Sequence, residues 1–307
     1  MTKQVLVIGG TRYFGKRLVA KLLAAGHRVT IASRGNAADD FGDRVERIRV
    51  NRSDRAAMTQ AFADARYDLV YDQVCYNPVD AKLACDVFAG KVGRYVMAST
   101  IEVYYPLRRA VQRPFRELDF EMRGELLEMG TSWHEMATPD QNYVAGKRQA
   151  EACFHQDGRL PLVAVRIGHV LADGEEEFLG RVASYVERAR RGERLRYAVA
   201  SGRSSFIHAE SIADFLLWTG EQAFLGPINA ADDGGLTALE IHQRAAAALG
   251  VPAHAEADLD EEAATRLSVF DFPFEYEMDT GRARELGYRF ADVEQWIGGV
   301  FAGHAQA

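Results

Sequence analysis

The stretch VLVIGGTRYFG, residues 5–15, decides how the fold is read. Val5–Ile8 is an apolar run of strand character, and Gly9 and Gly10 end it in a turn. The following RLVAKLLAAGHRV sets Leu18, Leu22 and Leu23 on one helical stripe, and Gly26 stops the helix. A strand, a glycine turn and a helix in that order aim free backbone N–H groups and the positive helix end at a phosphate. Gly9 then makes the tight turn and Gly15 lets the helix pack on the sheet, with Gly10, Thr11, Tyr13 and Phe14 completing the cradle. Arg12 stands where such loops commonly carry a further glycine.

Outward from this loop the same alternation repeats. Val29–Ala32, residues 67–74 (YDLVYDQV), 94–100 (RYVMAST) and 161–168 (PLVAVRIG) are short apolar runs, with helical stretches over 55–65 and 79–89. Strand and helix in regular succession predict an α/β protein with a Rossmann-like, doubly wound parallel sheet, whose ligand sits at the carboxyl ends of the strands. The division expected is a dinucleotide-binding domain over 1–168 plus 205–230, and a smaller substrate lobe over 169–204 plus 231–307. The lobe contains the helical patterns FLGRVASYVERARRG and TALEIHQRAAAALG. Residues 105–141 are rich in charge and poor in strand signals, as a functional or mobile loop would be.

Composition bounds the function. The chain has 307 residues, 48% hydrophobic, with a formal net charge of −7. The acidic balance, and the lack of an aromatic–basic interleave, argue against nucleic acid as a partner. Three cysteines without CxxC pairing or a nearby histidine argue against zinc and for a reducing compartment. No apolar run reaches the ~18 residues that a membrane span needs. A cytoplasmic protein with no metal and no membrane contact is the expectation.

Two further motifs carry chemistry. The second strand ends in IASRG, where NAD-preferring folds place an acid for the ribose 2′-hydroxyl. Ser33 and Arg34 suit a 2′-phosphate instead, and Arg12 can reach that phosphate or the pyrophosphate. NADP is therefore expected ahead of NAD. Gln73, at the end of another strand, is a candidate cofactor contact. In YVAGK, Tyr143 and Lys147 lie one helical turn apart and share a face. A free tyrosine titrates near ~10. An ammonium one turn away favours the phenolate, so Tyr143 can exchange a proton with a substrate oxygen while hydride moves at a nicotinamide. Ser99 and Thr100, closing the preceding strand, supply hydroxyls.

Taken together, these residues resemble the extended short-chain dehydrogenase/reductases of the NAD(P)-dependent epimerase/dehydratase group. GGTRYFG resembles the glycine motif, STIEVYY the serine/threonine strand end and YVAGK the Tyr-Lys pair. RIGHVLADG resembles the segment at the end of the next strand, with Ile167 beside the cofactor, and SSFIHAESIADFLL resembles the FIH block. The resemblance implies that Lys147 also bonds the nicotinamide ribose and that Thr100 orients the substrate oxygen. It puts Asn51, followed by Arg52, near the adenine. It also implies a homodimer through two long helices. Glu102, His134 and Arg203 are candidates for substrate contact.

The departures narrow the reaction. Nucleotide-sugar dehydratases carry Asp-Glu after the threonine; here the pair is Ile101-Glu102, and isoleucine cannot donate a proton. Nucleotide-sugar epimerases carry an arginine before FIH, where this chain has Ser204 with Arg203 beside it. The expectation is an oxidoreductase or epimerase acting on a hydroxyl or keto carbon of a sugar-like or nucleotide-sugar substrate. The alternative is a non-catalytic NADP-binding regulatory or RNA-associated protein, since GGTR-type loops also resemble those of chloroplast stem-loop RNA-binding relatives.

Overall fold

The computed structural model describes residues 1–133, 139–173, 179–199, 201–258 and 268–306. Its elements begin with β1 (Gln4–Ile8), α1 (Tyr13–Ala24), β2 (Arg28–Ser33), β3 (Val45–Arg49) and α2 (Arg55–Ala61). Next come β4 (Tyr67–Asp72), α3 (Pro78–Phe88), β5 (Val92–Thr100), α4 (Pro139–Asp157) and β6 (Leu162–Ile167). The chain continues through β7 (His169–Leu171), α5 (Arg181–Arg190), β8 (Leu195–Ala198), β9 (Phe206–His208) and α6 (Ala209–Glu221). It ends with β10 (Gly226–Ala230), α7 (Ala238–Leu249), β11 (Ala255–Asp258), α8 (Gly281–Glu285) and α9 (Val293–Gln306).

Two compact units share these elements. The first holds Met1–Tyr105, Glu117–Ile167 and Ala213–Ile228; the second holds Pro106–Arg116, Gly168–Ile212 and Asn229–Ala307. Part of the 105–141 stretch is thus ordered into the second unit, where Phe115 bridges to Met278.

Among the described residues the first unit is built on a seven-stranded sheet in the order β10-β6-β5-β4-β1-β2-β3. Strands β1 to β6 pair in parallel, in a register that brings Ile8 beside Ala32 and Asp72, and Thr100 beside Ile167. This is the doubly wound α/β sheet the alternation predicts. The central strands are apolar on both faces: Val5, Leu6, Val7, Val70 and Val163 are wholly buried. Each such side chain contributes roughly 1.5–3 kcal/mol by leaving water. Helix starts are set locally. Asp54 and Asn77 cap α2 and α3 by accepting from Ala57 N and Asp80 N, and Pro78 opens α3 where no N–H partner is needed. The carboxyl ends of β1, β2, β4, β5 and β6 all fall on one edge, and this places the glycine loop, Ser33, Gln73 and Thr100 at that edge.

The second unit contains two short parallel pairs, β7 with β9 and β8 with β11, and helices α5, α7 and α9 in mutual contact. Thr237 and Glu240 form a reciprocal capping box at the start of α7, and Gly250 closes it in the left-handed region. Among the described residues, no helix is long and apolar enough to cross a membrane.

Candidate active site

The glycine loop is built for close approach. Gly9 has φ +90, open to glycine at no steric cost, and an added Cβ would meet Val74 Cγ1 at 2.9 Å. Gly10 is pressed between Val7 and Val19, and at Gly15 a Cβ would come within 3.1 Å of the Gly9 carbonyl. Arg12 precedes α1 in extended backbone, φ −139 and ψ 159, a conformation that any residue adopts. The non-glycine residue of this loop with positive φ is Tyr13, at +52, so the strain sits one position beyond the arginine. No side chain caps α1, and no acid lies in its first turn.

Ser33, Arg34 and Asn51, the residues expected on the adenosine side, lie at the ends of β2 and β3. Ser33 Oγ accepts from Gly35 N at 3.2 Å, which leaves its hydroxyl hydrogen to give. The Arg12 and Arg34 side chains are exposed and have no hydrogen-bond or ion-pair partner among the described residues. Asn51 is exposed after β3, its Oδ1 accepting from Ser53 N. Gln73 packs against Gly9 and Gly15, and its buried Oε1 has no partner. A cradle that a Cβ would fill, an orphaned amide oxygen and two unpartnered guanidiniums fit a dinucleotide carrying phosphates. Thr11 and Phe14 are half-buried in the loop.

Thr100, Tyr143 and Lys147, the residues expected to carry the chemistry, lie on β5 and α4. Thr100 Oγ1 accepts from Glu102 N at 3.2 Å in the turn that follows β5. Tyr143 is 39% exposed, while Lys147, one turn on, is 2% exposed. The Lys147 ammonium donates to the Ala98 carbonyl at 2.7 Å. It lies 4.6 Å from the Tyr76 ring centroid and 5.8 Å from that of Tyr143. Burial lowers the Lys147 pKa to about 8, against the raising pull of Cys75, Asp72 and Glu151. The phenol and the amine thus share one side of α4.

Several expected contacts lie elsewhere. Ser99 points to the opposite face of β5 from Thr100 and gives its hydroxyl to Glu151. Arg52 is 5% exposed and turned inward: Nη2 donates to Asp72 Oδ2 at 2.6 Å and Nη1 to the Asp80 carbonyl at 2.8 Å. Tyr95 donates to the same Asp72 carboxylate at 2.6 Å. Arg52 therefore holds the turn after β4 and not an adenine. Arg203 pairs with Glu240 at 2.9 Å and with the Gly235 carbonyl, so α7 takes its charge. Ile167 is buried as a whole residue and pairs with Thr100 in the sheet. Glu102 is half-buried at the turn. His134 lies outside the described residues.

The sequence reading missed two features here. One is Tyr76, placed on Lys147 by the turn that starts α3; an aromatic directly after a strand on the ligand edge was the available signal. The other is the wholly buried pair Arg166–Glu151, at 2.7 Å, with Arg166 also donating to Tyr104 Oη and the Glu117 carbonyl at 2.8 Å each. Burial alone would lower the Arg166 pKa, but Glu151 and Tyr104 outweigh it and hold it raised. Nothing in a strand pattern announces such a pair.

Residues 5–230 match the family described as "NAD dependent epimerase/dehydratase family". A curated relative, the 2′-dehydrokanamycin reductase of Streptomyces kanamyceticus, is 34% identical over 105 residues. That match covers 34% of this chain and 30% of the reductase's length. UDP-glucose 4-epimerase of Thermotoga maritima, solved with UDP-glucose, is similar in fold at a TM-score of 0.70 and 16% identity, covering 99% of each chain. dTDP-glucose 4,6-dehydratase of Bacillus anthracis, solved with NAD, is similar at a TM-score of 0.69 and 12% identity, covering 99% of this chain and 96% of the other. Epimerases and a dehydratase thus share this fold, which leaves the reaction to be argued from the site. The chain belongs to the NAD-dependent epimerase/dehydratase family.

Proposed function

We propose that this chain is an NADP-dependent oxidoreductase or epimerase acting on a hydroxyl or keto carbon of a sugar-like or nucleotide-sugar substrate. The observation that carries the reading is the Lys147 ammonium, 2% exposed and on the same side of α4 as the Tyr143 ring. A buried cation beside a half-exposed phenol stabilises the phenolate, and so makes Tyr143 a usable acid and base at neutral pH. In the reducing direction Tyr143 gives its proton to the substrate oxygen; in the oxidising direction it takes that proton. Thr100 holds the same oxygen through its hydroxyl. Lys147 keeps the charge in place and bonds the cofactor ribose.

The cofactor would be held by Gly9, Gly10, Thr11, Arg12, Tyr13, Phe14 and Gly15 at its pyrophosphate, and by Gln73 and Ile167 further along. Ser33 and Arg34 would take the 2′-phosphate, with Asn51 beside the adenine. When bound, the nicotinamide supplies the hydride donor or acceptor. Two exposed guanidiniums without partners among the described residues, Arg12 in the loop after β1 and Arg34 after β2, support NADP over NAD. Ile101 is 1% exposed and has no proton to give, which argues against elimination of water. The 2′-dehydrokanamycin reductase match supports reduction of a keto-sugar as one member of this substrate class.

The test is calorimetric titration with NADPH and NADH, followed by absorbance of the reduced nicotinamide over a panel of keto-sugars and nucleotide sugars. Tighter binding of NADPH, and oxidation of it by at least one sugar of the panel, is the expected result. Failure to bind either dinucleotide would remove the reading.

A further inference from the structure

The sequence motif contains one tyrosine beside Lys147, but the structure contains two. The nearer ring is Tyr76, from the turn between β4 and α3, at 4.6 Å from Nζ. The two rings lie 6.2 Å apart. Tyr76 is 44% exposed, and it is its main chain that the surroundings hold in place. Its N–H donates to Asp80 Oδ2 at 3.4 Å, and Asn77, the cap of α3, donates from Nδ2 to the same oxygen at 3.1 Å. The turn also lies hard against α4: a Cβ at Gly146, next to Lys147, would run into the Tyr76 carbonyl. Glycine at 146 is what allows the turn and the helix to approach this closely.

Lys147 forms no ion pair among the described residues. Its hydrogen-bond acceptor is the neutral Ala98 carbonyl. The titratable and charged groups around it are Asp72 and Cys75 at the end of β4, Glu151 one turn along α4, Arg52 before α2, and the two tyrosines. Asp72 is already shared by Arg52 and Tyr95, and Glu151 by Arg166 and Ser99. A buried ammonium without a carboxylate of its own loses its hydration and gains little Coulomb energy in return. The negative face of an aromatic ring is the remaining source of stabilisation, and it is strongest where water is excluded.

We propose that Tyr76 is a positioning residue for the Tyr143–Lys147 pair: its ring face holds the Lys147 side chain against Ala98 and keeps it cationic at neutral pH. The catalytic consequence rests on the function proposed above, since a neutral Lys147 would no longer favour the Tyr143 phenolate. The charge state of Lys147 is measurable without substrate or cofactor. A negative titration result would therefore overturn the role of Tyr76 and leave that reading standing.

The experiment is an NMR titration of the full chain labelled with [ε-13C]lysine. Only six lysines are present, and the Lys147 signal is identified by its loss in Lys147→Arg. Tyr76→Leu keeps the site apolar but removes the ring, and its Lys147 midpoint is expected to fall by about one pH unit. Tyr76→Phe keeps the ring and is expected to restore the midpoint of the unsubstituted chain. Phenylalanines of increasing ring fluorination at position 76, which keep the shape and weaken the negative face, are expected to lower it stepwise; this series stands if Tyr76→Leu does not fold. An unchanged midpoint in Tyr76→Leu or across the fluorinated series overturns the proposal. So does an equal fall in Tyr76→Phe, which would assign the effect to the hydroxyl.

Discussion

Helix α4 carries two regions of opposite character, one turn apart. At Glu151 the carboxylate meets Arg166 with both side chains at 0% exposure, and Ser99, Tyr104 and the Glu117 carbonyl satisfy the remaining positions. At Lys147 a cation at 2% exposure has a neutral carbonyl and two aromatic rings. The first is a closed network that fixes α4 against β5 and β6. The second leaves its charge without a counter-ion, beside a phenol that solvent can reach. Buried charge that is fully paired serves structure, whereas buried charge without a counter-ion is available to act on a neighbour.

Breaking the closed network has the largest expected effect. Glu151→Ala strands the Arg166 guanidinium in the core and should lower the unfolding free energy by about 3–5 kcal/mol, read from denaturant unfolding. If the loss is below ~1 kcal/mol, the two regions do not differ as described.

The counterpart is Lys147→Met, which should cost turnover but not stability. The Lys147 pKa is about 8 in the folded chain against an ordinary 10.5, so burial of the charged form opposes folding by roughly 3 kcal/mol at neutral pH. The folded state therefore releases the Lys147 proton at a lower pH than the unfolded state does. Between pH 8 and 10.5 the unfolded chain binds more protons, and this group's contribution to stability rises with pH across that window. Lys147→Met should remove that rise and be at least as stable as the unsubstituted chain at pH 7. A matched slope in the two proteins would show that Lys147 is not strained by its surroundings.

A smaller effect sharpens the contrast at the far end of the proposed cofactor site. Arg34→Ala should weaken NADP binding about tenfold, equivalent to ~1.4 kcal/mol, and leave NAD binding unchanged. An equal loss for both dinucleotides would take Arg34 away from the 2′-phosphate.

The regions also differ in how legible they were. Strands β1, β4, β5 and β6 are buried on both faces and read as continuous apolar runs, and the glycine loop is local chemistry in consecutive residues. Strand β3, VERIR, lies at the sheet edge with only Val45 fully buried, so its pattern carried no apolar run to notice. Strands β8 and β11, LRYA and AEAD, are four residues each and mix charge with alanine. Tyr143 and Lys147 could be paired from helical spacing alone. Ser99 and Thr100 could not be separated, because adjacent strand residues face opposite ways and the sequence does not say which face holds the ligand. Arg52 and Arg203 looked like ligand-binding cations for the same reason: their partners, Asp72 and Glu240, are 20 and 37 residues away. Tyr76 was hidden by distance too, since it reaches Lys147 only when the turn after β4 packs on Gly146.

The most direct measurement is the parallel determination of NADPH affinity and turnover for Tyr143→Phe, with whichever sugar of the panel the unsubstituted chain is found to turn over. A phenol that works only as a proton carrier predicts NADPH affinity within about twofold of the unsubstituted chain, and turnover lowered on the order of 10²–10⁴-fold. Full turnover in Tyr143→Phe would contradict the assignment of the proton to Tyr143.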